Sequence, residues 1–323
     1  MSKAKKYVDK KIYLAGHRGM VGSAILRNFQ SNGYSNIIYR TQSELNLVRQ
    51  NEVEKFFSVE KPSCVIIAAA KVGGILANNT YRAEFIYDNL MIEANIINAA
   101  FNNNVEKLIF LGSSCIYPKL APQPLKEEYL LSDYLESTNE PYAIAKIAGI
   151  KLCENYYRQY GSNFISAMPT NLYGPFDNFN LETSHVLPAL IRKFHEAKIQ
   201  YEKNNVVTLW GSGQPKREFL YVEDLAEAIR FLLENIDAPD LYESGISQLN
   251  IGTGEDLTIN ELSNLISEII DFKGSIEYDK SKPDGTPRKL MDVSRIHKLG
   301  WKHSTTLKEG IEKTYKWYLE NRN

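Results

Sequence analysis

The sequence predicts an α/β fold: a Rossmann-like, doubly wound parallel sheet with a smaller C-terminal substrate-binding domain. Three observations carry that prediction. Short apolar runs (Lys11 to Ala15, Ser63 to Ala70, Lys107 to Ser113, Asn163 to Pro169) alternate with longer segments of helical period. The run Cys64 to Ala70, CVIIAAA, is apolar throughout, as a parallel strand covered on both faces requires. The first strand leads through Gly16-His17-Arg18-Gly19-Met20-Val21-Gly22 straight into the helical pattern that starts at Ser23.

Strand, glycine turn and helix in that order make a dinucleotide cradle. Gly16 permits the tight turn, Gly19 lets the backbone approach a pyrophosphate, and Gly22 lets the helix pack closely. Arg18, Met20 and Val21 complete the loop that would line the cofactor. The next strand, Asn36 to Tyr39, ends in Arg40-Thr41, where a site for NADH places a carboxylate for the ribose 2′-hydroxyl. An arginine suits a 2′-phosphate, and Arg18 is placed to reach the same group, so the expected cofactor is NADPH/NADP+. The competing reading leaves both arginines in solvent and gives the ribose to Glu44.

The third strand ends near Ala69, beside the cofactor path, and runs into a loop with Gly73 and Gly74. A long helix is expected from Arg82 to Asn103, with Phe85, Leu90, Ile92, Ile96 and Ile97 toward the sheet. The fourth strand then delivers Ser113, Ser114 and Cys115 to the carboxyl edge, where ligands bind in such sheets. Tyr142 and Lys146 are four apart in a helix that begins Thr138-Asn139-Glu140-Pro141, with Thr138 or Asn139 as N-cap, so they share a face. An ammonium beside a phenol favours phenolate and makes it a proton donor and acceptor nearer neutral pH. Reduction of a carbonyl needs such a group.

After the fifth strand the composition changes. Residues 174–185, GPFDNFNLETSH, read as a polar lid, and His185 opens the helical pattern after it. Val207 to Gly213 is a strand and turn, Arg217 to Asp224 starts a further helix, and Lys282 to Lys289 is a basic, proline-fixed loop. The chain divides near this change: residues 1–173 form the NADP-binding domain and 174–323 mainly the substrate-binding domain. Elements near 218–255, including Asn250-Ile251-Gly252, are expected to return to the first sheet.

Composition narrows the function classes. With 323 residues, 43% of them hydrophobic, a sizeable core is available; the net charge of −1 gives no basic field for nucleic acid or membrane. A small-molecule partner is expected. Cys64, Cys115 and Cys153 have neither metal-ligand nor disulfide spacing, so no metal and a reducing, cytoplasmic location are expected. The basic start MSKAKKYVDKK lacks the apolar core of a signal peptide, and no run is long enough to span a bilayer.

The stretches GHRGMVGSAI, AAAKVGGILANNT, FLGSSCIYPK, NEPYAIAKIAGIKLCE, MPTNLYGP, SHVLPALIRKFHEA, WGSG, REFL and SKPDGTPRK carry more than the glycine loop and Tyr-x-x-x-Lys would. Through them the chain resembles, end to end, the GDP-L-fucose synthase family of extended short-chain dehydrogenases/reductases. The resemblance implies a homodimer, joined through helix surfaces around 84–103 and 143–160, that uses NADPH. It implies conversion of GDP-4-keto-6-deoxy-D-mannose to GDP-L-fucose by epimerisation at C3 and C5 and reduction at C4. Cys115 as thiolate and His185 as imidazolium would then be the base and acid of the inversions. Ser113 and Tyr142 would bond the C4 oxygen, with Lys146 holding Tyr142 and the nicotinamide ribose. Asn171, Lys193, Arg217 and Lys289 would line the GDP-sugar cleft, with Trp210 stacked on the guanine or packed beneath it. One departure bears on sugar specificity: Phe176 stands in Gly174-Pro175-Phe176-Asp177, where the family commonly carries histidine. Two other readings stay open. The chain is a C4-reductase of a related GDP-4-keto-6-deoxy sugar, such as a heptose, served by a separate epimerase; retained Cys115 and His185 speak against it. Alternatively it is a nucleotide-sensing module, against which the intact Ser113, Tyr142 and Lys146 speak.

Overall fold

The computed structural model describes residues 5–200, 205–281 and 284–322. In chain order the elements are β1 (Ile12–Ala15), α1 (Met20–Ser31), β2 (Ile37–Ile38), α2 (Gln50–Glu60), β3 (Cys64–Ile67), α3 (Ile75–Thr80), α4 (Arg82–Asn102), β4 (Lys107–Leu111), α5 (Glu140–Tyr160), β5 (Phe164–Pro169) and β6 (Asn171–Tyr173). There follow α6 (Val186–Ile199), β7 (Val206–Trp210), β8 (Lys216–Arg217), β9 (Phe219–Tyr221), α7 (Val222–Asn235), α8 (Ala238–Tyr242), β10 (Leu249–Ile251), β11 (Leu257–Thr258), α9 (Ile259–Ile270), β12 (Ser275–Asp279), β13 (Arg288–Lys289), α10 (Ser294–Leu299) and α11 (Leu307–Asn321).

Six parallel strands form the main sheet in the order β10-β5-β4-β3-β1-β2. Every residue of β1, β3, β4 and β5 is buried, because helices cover both faces. The predicted strands stand within a few residues of their expected limits. The largest shortfalls are β3, reduced from Ser63 to Ala70 to Cys64–Ile67, and β2, reduced from Asn36 to Tyr39 to the pair Ile37–Ile38 at the sheet edge.

Asn250 returns to this sheet as expected, with β10 pairing Leu249 to Ala167 and Ile251 to Pro169. The return reaches further than the sequence indicated. One apolar core runs from Tyr7 through Ile251 and takes in Met291, Val293, Ile296 and Trp301. A second core gathers Leu187, Leu190 and Phe194 of α6, Leu209 of β7, Leu262 and Ile266 of α9 and Ile311 of α11. Helices α9 and α11 each start on a reciprocal cap, Thr258 with Glu261 and Thr306 with Glu309. The parallel strands all point their carboxyl ends one way, and that edge gathers Gly16, Ala69, Ser113 and Asn171.

Candidate active site

At the first strand the glycine loop is closed tightly. Gly16 has φ +90°, and a β-carbon there would lie 2.6 Å from the Ala69 nitrogen; one at Gly22 would lie 2.1 Å from the Gly16 oxygen. Helix α1 starts on Gly19 with no side-chain cap and no acid in its first turn, so its leading N–H groups face outward uncompensated. Such a cradle fits a pyrophosphate. Around the adenosine end, Glu44 accepts from the Thr41 amide at 2.7 Å and hydroxyl at 2.8 Å, and these bonds hold its carboxyl below the ordinary range. That carboxylate serves its own turn, which weakens the ribose alternative. Arg18 is exposed beside the loop. Arg40 lies against Glu60 at 2.6 Å and over Phe56 at 5.3 Å, so its guanidinium leans away from the loop.

The chemistry-bearing cluster sits at the end of β4. Gly112 passes under Met168, whose methyl would be 2.2 Å from a β-carbon there. Ser113 is extended, and a single 3₁₀ turn over Ser114–Ile116 swings Cys115 inward, where its N–H donates to Ser113 Oγ at 3.5 Å. Burial pushes the Cys115 thiol up, while the charge of Lys289, the hydroxyl of Ser113 and the charge of Lys146 pull it back. On α5, Pro141 occupies the first turn and Asn139 the N-cap position, although the Asn139 side chain makes no capping bond. Lys146 Nζ donates to the Leu111 carbonyl at 3.0 Å and lies 5.8 Å from the Tyr142 ring. Tyr142 is set edge-on to Phe85 at 6.4 Å.

One expectation is corrected here. Lys146 does not draw Tyr142 toward phenolate: burial, then the charges of Cys115 and Glu93, push the phenol well above its ordinary value. The reason is that burial also lowers Lys146, whose ammonium faces the Glu93 carboxylate at 3.8 Å.

The polar loop 174–185 is anchored to the loop after β3. Asn180 Oδ1 accepts from the Glu182 and Thr183 amides, and the Gly74 amide donates to the Thr183 carbonyl at 3.0 Å, tying the lid to the loop after β3. His185, the N-cap residue of α6, is exposed, and the protein around it still lowers its pKa by desolvation. Phe176 adopts φ +66° and packs on Trp317 at 5.0 Å, with the Arg27 guanidinium 5.0 Å from its ring. The next residue, Asp177, is desolvated enough that its carboxyl is pushed up to about 7.

Three cations lie toward the second core. Lys193 donates to the Thr208 carbonyl at 3.3 Å, Arg217 to the Lys216 carbonyl at 2.7 Å, and Lys289 stands in register with Arg217 across the β13–β8 pair. Burial lowers the pKa of each, and among the described residues none of the three makes an ion pair within 4.0 Å. Desolvated cations without a counter-charge are the groups that an anion site uses. Beside Arg217 is a hollow of about 150 Å³ lined by Gln214, Pro215, Asp284, Gly285 and Pro287. A larger groove of about 560 Å³ lies outside edge strand β2, between Gln30 and Tyr39, and none of the candidate site residues lines it. Trp210 is 70% exposed on β7. Lys282 and Pro283 of the expected basic loop lie outside the described residues.

Sequence reading missed two carboxylates. Glu218 is fully buried and accepts from the amides of Thr253 (2.6 Å), Gly254 (2.8 Å) and Met291 (2.8 Å), while its carbonyl accepts from Asn171 Nδ2 at 2.8 Å. It thereby fixes Arg217, Asn171 and the strand of Lys289 together. Glu93 lies on α4 in the stripe Phe85, Asn89, Glu93, Ile96 that faces inward. A charge in that stripe was a readable signal; nothing in the sequence around Glu218 marks its role.

Among the described residues no group of three His, Cys, Asp or Glu side chains is arranged to hold a metal ion, and no helix is long and apolar enough to cross a membrane. Residues 12–252 match the model of the NAD dependent epimerase/dehydratase family. The chain is 57% identical to a probable GDP-L-fucose synthase 1 of Oryza sativa subsp. japonica, over 96% of this chain and 92% of the relative. It is 56% identical to the GDP-L-fucose synthase of Escherichia coli K12, over 97% and 98%. Among solved structures it resembles a GDP-D-glycero-L-gluco-heptose synthase from Campylobacter jejuni, crystallised in the presence of NADPH. The TM-score is 0.90 at 41% identity, over 97% of this chain and 99% of that one.

Proposed function

Because the chain belongs to the NAD dependent epimerase/dehydratase family, and within it to the GDP-L-fucose synthases, we infer an NADPH-dependent enzyme that converts GDP-4-keto-6-deoxy-D-mannose to GDP-L-fucose. NADPH, when bound, supplies the hydride for C4. The glycine cradle and α1 hold its pyrophosphate, Ala69 lines its path, and Arg18 with Arg40 serve the 2′-phosphate, Arg40 after leaving Glu60.

The substrate ketone acidifies the hydrogens on both neighbouring carbons, since the carbanion delocalises onto oxygen. Inversion needs a base on one face of the ring and an acid on the other. Cys115 takes the proton as thiolate, with Lys289 as the charge that supports its ionisation; His185 returns one from the opposite face. Ser113 and Tyr142 bond the C4 oxygen as negative charge develops, a stabilisation of about 3 kcal/mol per donor. Tyr142 then gives its proton to that oxygen, and the raised pKa of the phenol keeps the proton available across the neutral range. Lys193, Arg217 and Lys289, with Asn171, take the diphosphate and its sugar.

The observation that carries the reading is Cys115, buried beside Ser113, Tyr142 and Lys146: reduction alone has no use for a thiol there. The division near residue 174 is supported by the second core, built almost wholly from later residues. A homodimer is supported by Tyr87 on α4 and Ile144 on α5, 58% and 41% exposed. A cytoplasmic location accords with three free cysteines.

The test is proton NMR of GDP-4-keto-6-deoxy-D-mannose in D₂O, first without cofactor and then with NADPH. Deuterium entering C3 and C5 before reduction, followed by a GDP-L-fucose spectrum, is the expected outcome. In Cys115→Ser the exchange falls by orders of magnitude while NADPH still binds; retained exchange removes Cys115 from the mechanism. NADPH consumption without any exchange in the unaltered protein points to a C4-reductase, and heptose substrates are then tried.

A further inference from the structure

We propose that Glu93 is a positioning residue that keeps Lys146 charged, its carboxylate acting from α4 as the internal counter-charge that holds the ammonium beside Tyr142. The inference rests on the C4 reduction assigned above and adds a group that touches neither substrate nor cofactor.

Glu93 is 1% exposed, and neither carboxylate oxygen has a hydrogen-bond partner among the described residues. A buried carboxylate left without donors costs several kcal/mol in general, so an apolar residue in the same stripe of α4 would suit the fold better. What the carboxylate does face is Lys146: Oε2 lies 3.8 Å from Nζ, with both side chains almost fully buried. Helix α5 makes room for that approach at Gly149, where a β-carbon would lie 2.6 Å from Glu93 Oε2 and 2.5 Å from Phe110 Cζ. The two helices are thus shaped around this pair.

The surroundings of the pair are few. Lys146 meets the Leu111 carbonyl from β4 at 3.0 Å, the Phe110 ring at 4.5 Å, Tyr142 one turn away on its own helix, and the Cys115 thiol from the turn after β4. Glu93 faces Lys146 and, more weakly, Tyr142 and Cys153 on α5. Among these groups Glu93 is the carboxylate. Burial drives both partners toward neutrality, and each one's charge opposes that drive in the other. Removing the carboxylate takes away the larger of the two charges that oppose burial at Lys146 and leaves that of Cys115, so the ammonium loses its proton at lower pH. Opposite charges at such separations shift a pKa by about 1–3 units.

The test compares the unaltered enzyme with Glu93→Gln, which keeps shape and removes charge. The kcat for NADPH oxidation is followed from about pH 6 to about pH 10, where an alkaline limb reports loss of the essential acid form. The expected result is an alkaline limb displaced downward by about one pH unit or more, with the KM for the GDP-sugar little changed. A limb that stays in place overturns the proposal, even if the melting temperature drops, because a merely structural role affects stability and not the limb.

A second readout needs no turnover. Infrared spectra of the cofactor-free protein, taken as the pH is lowered, are expected to show the growth of a protonated-carboxyl band that Glu93→Gln removes, and whose appearance moves to higher pH in Lys146→Met, where the opposing charge is gone. A band that ignores Lys146→Met overturns the pairing, and this holds should Glu93→Gln fail to fold. If the unaltered protein reduces no ketone at all, the assigned reaction fails, while the infrared comparison still decides Glu93.

Discussion

Glu218→Gln is the most informative single change outside the reacting groups. The carboxylate shares two oxygens among three amides, those of Thr253 and Gly254 on Oε1 and that of Met291 on Oε2. A glutamine of the same shape has one acceptor oxygen. If that oxygen keeps Thr253 and Gly254, the new amide nitrogen points its hydrogens at the Met291 N–H, which is left without an acceptor. Hydrogen bonds to charged groups contribute about 1.5–3 kcal/mol each, and a buried donor left unmade costs a similar amount, so the loss is about 3 kcal/mol. At the usual unfolding entropy per residue, a chain of 323 residues loses on the order of 4 °C in melting temperature. The functional part of the loss falls on the GDP-sugar side. Arg217 precedes Glu218 directly, Lys289 lies two residues before Met291, and Asn171 bonds the Glu218 carbonyl. If half of the loss appears as misplacement of these groups, the KM for the GDP-sugar rises roughly tenfold, while the KM for NADPH stays within twofold because its cradle lies on β1 and α1. Steady-state NADPH oxidation with each substrate varied, beside a thermal melt, reads both effects. A lowered melt with an unchanged GDP-sugar KM refutes the link from Glu218 to the cations.

Further outcomes follow from the same geometry. The positive charge of Lys289 is the leading influence that lowers Cys115, so Lys289→Met raises the thiol pKa and moves the rising limb of C3 and C5 exchange to higher pH, read by NMR at saturating substrate. A limb that stays in place assigns the thiolate's support elsewhere. Gly22→Ala puts a methyl 2.1 Å from the Gly16 carbonyl oxygen, an overpacking of about 1–3 kcal/mol. Its expected signature is NADPH affinity lowered at least tenfold in a fluorescence titration, with GDP binding retained; unchanged NADPH affinity places the cofactor elsewhere.

The alternation of apolar runs, the glycine loop and the spacing of Tyr142 and Lys146 were all legible because they are local: each depends on neighbours within a few residues. Ser113 and Cys115 were legible for the same reason, as residues just past the end of a strand. What escaped depends on distant chain segments. Glu218 acquires its role from amides 35, 36 and 73 residues away, and no pattern in Arg217-Glu218-Phe219 announces that. Arg40 was correctly placed at the end of β2, but Glu60, twenty residues on, decides which way its guanidinium leans. The activation of Tyr142 was misjudged because spacing gives proximity and not burial, and here burial outweighs the nearby ammonium. The return of residues 291–301 to the first core was illegible too: the stretch is short, and its partners sit on β10 and its neighbours.

That return has a consequence for how the polypeptide emerges from the ribosome. Strand β5 is followed by some eighty residues before β10 arrives to cover its open edge, and Trp301 completes the first core only when nearly the whole chain has been made. The nascent protein therefore holds β5 with one edge open through about a quarter of its synthesis, a state in which edge-to-edge association competes with folding. Residues 1–173 expressed by themselves keep that open edge permanently, and are expected to associate where the whole chain does not.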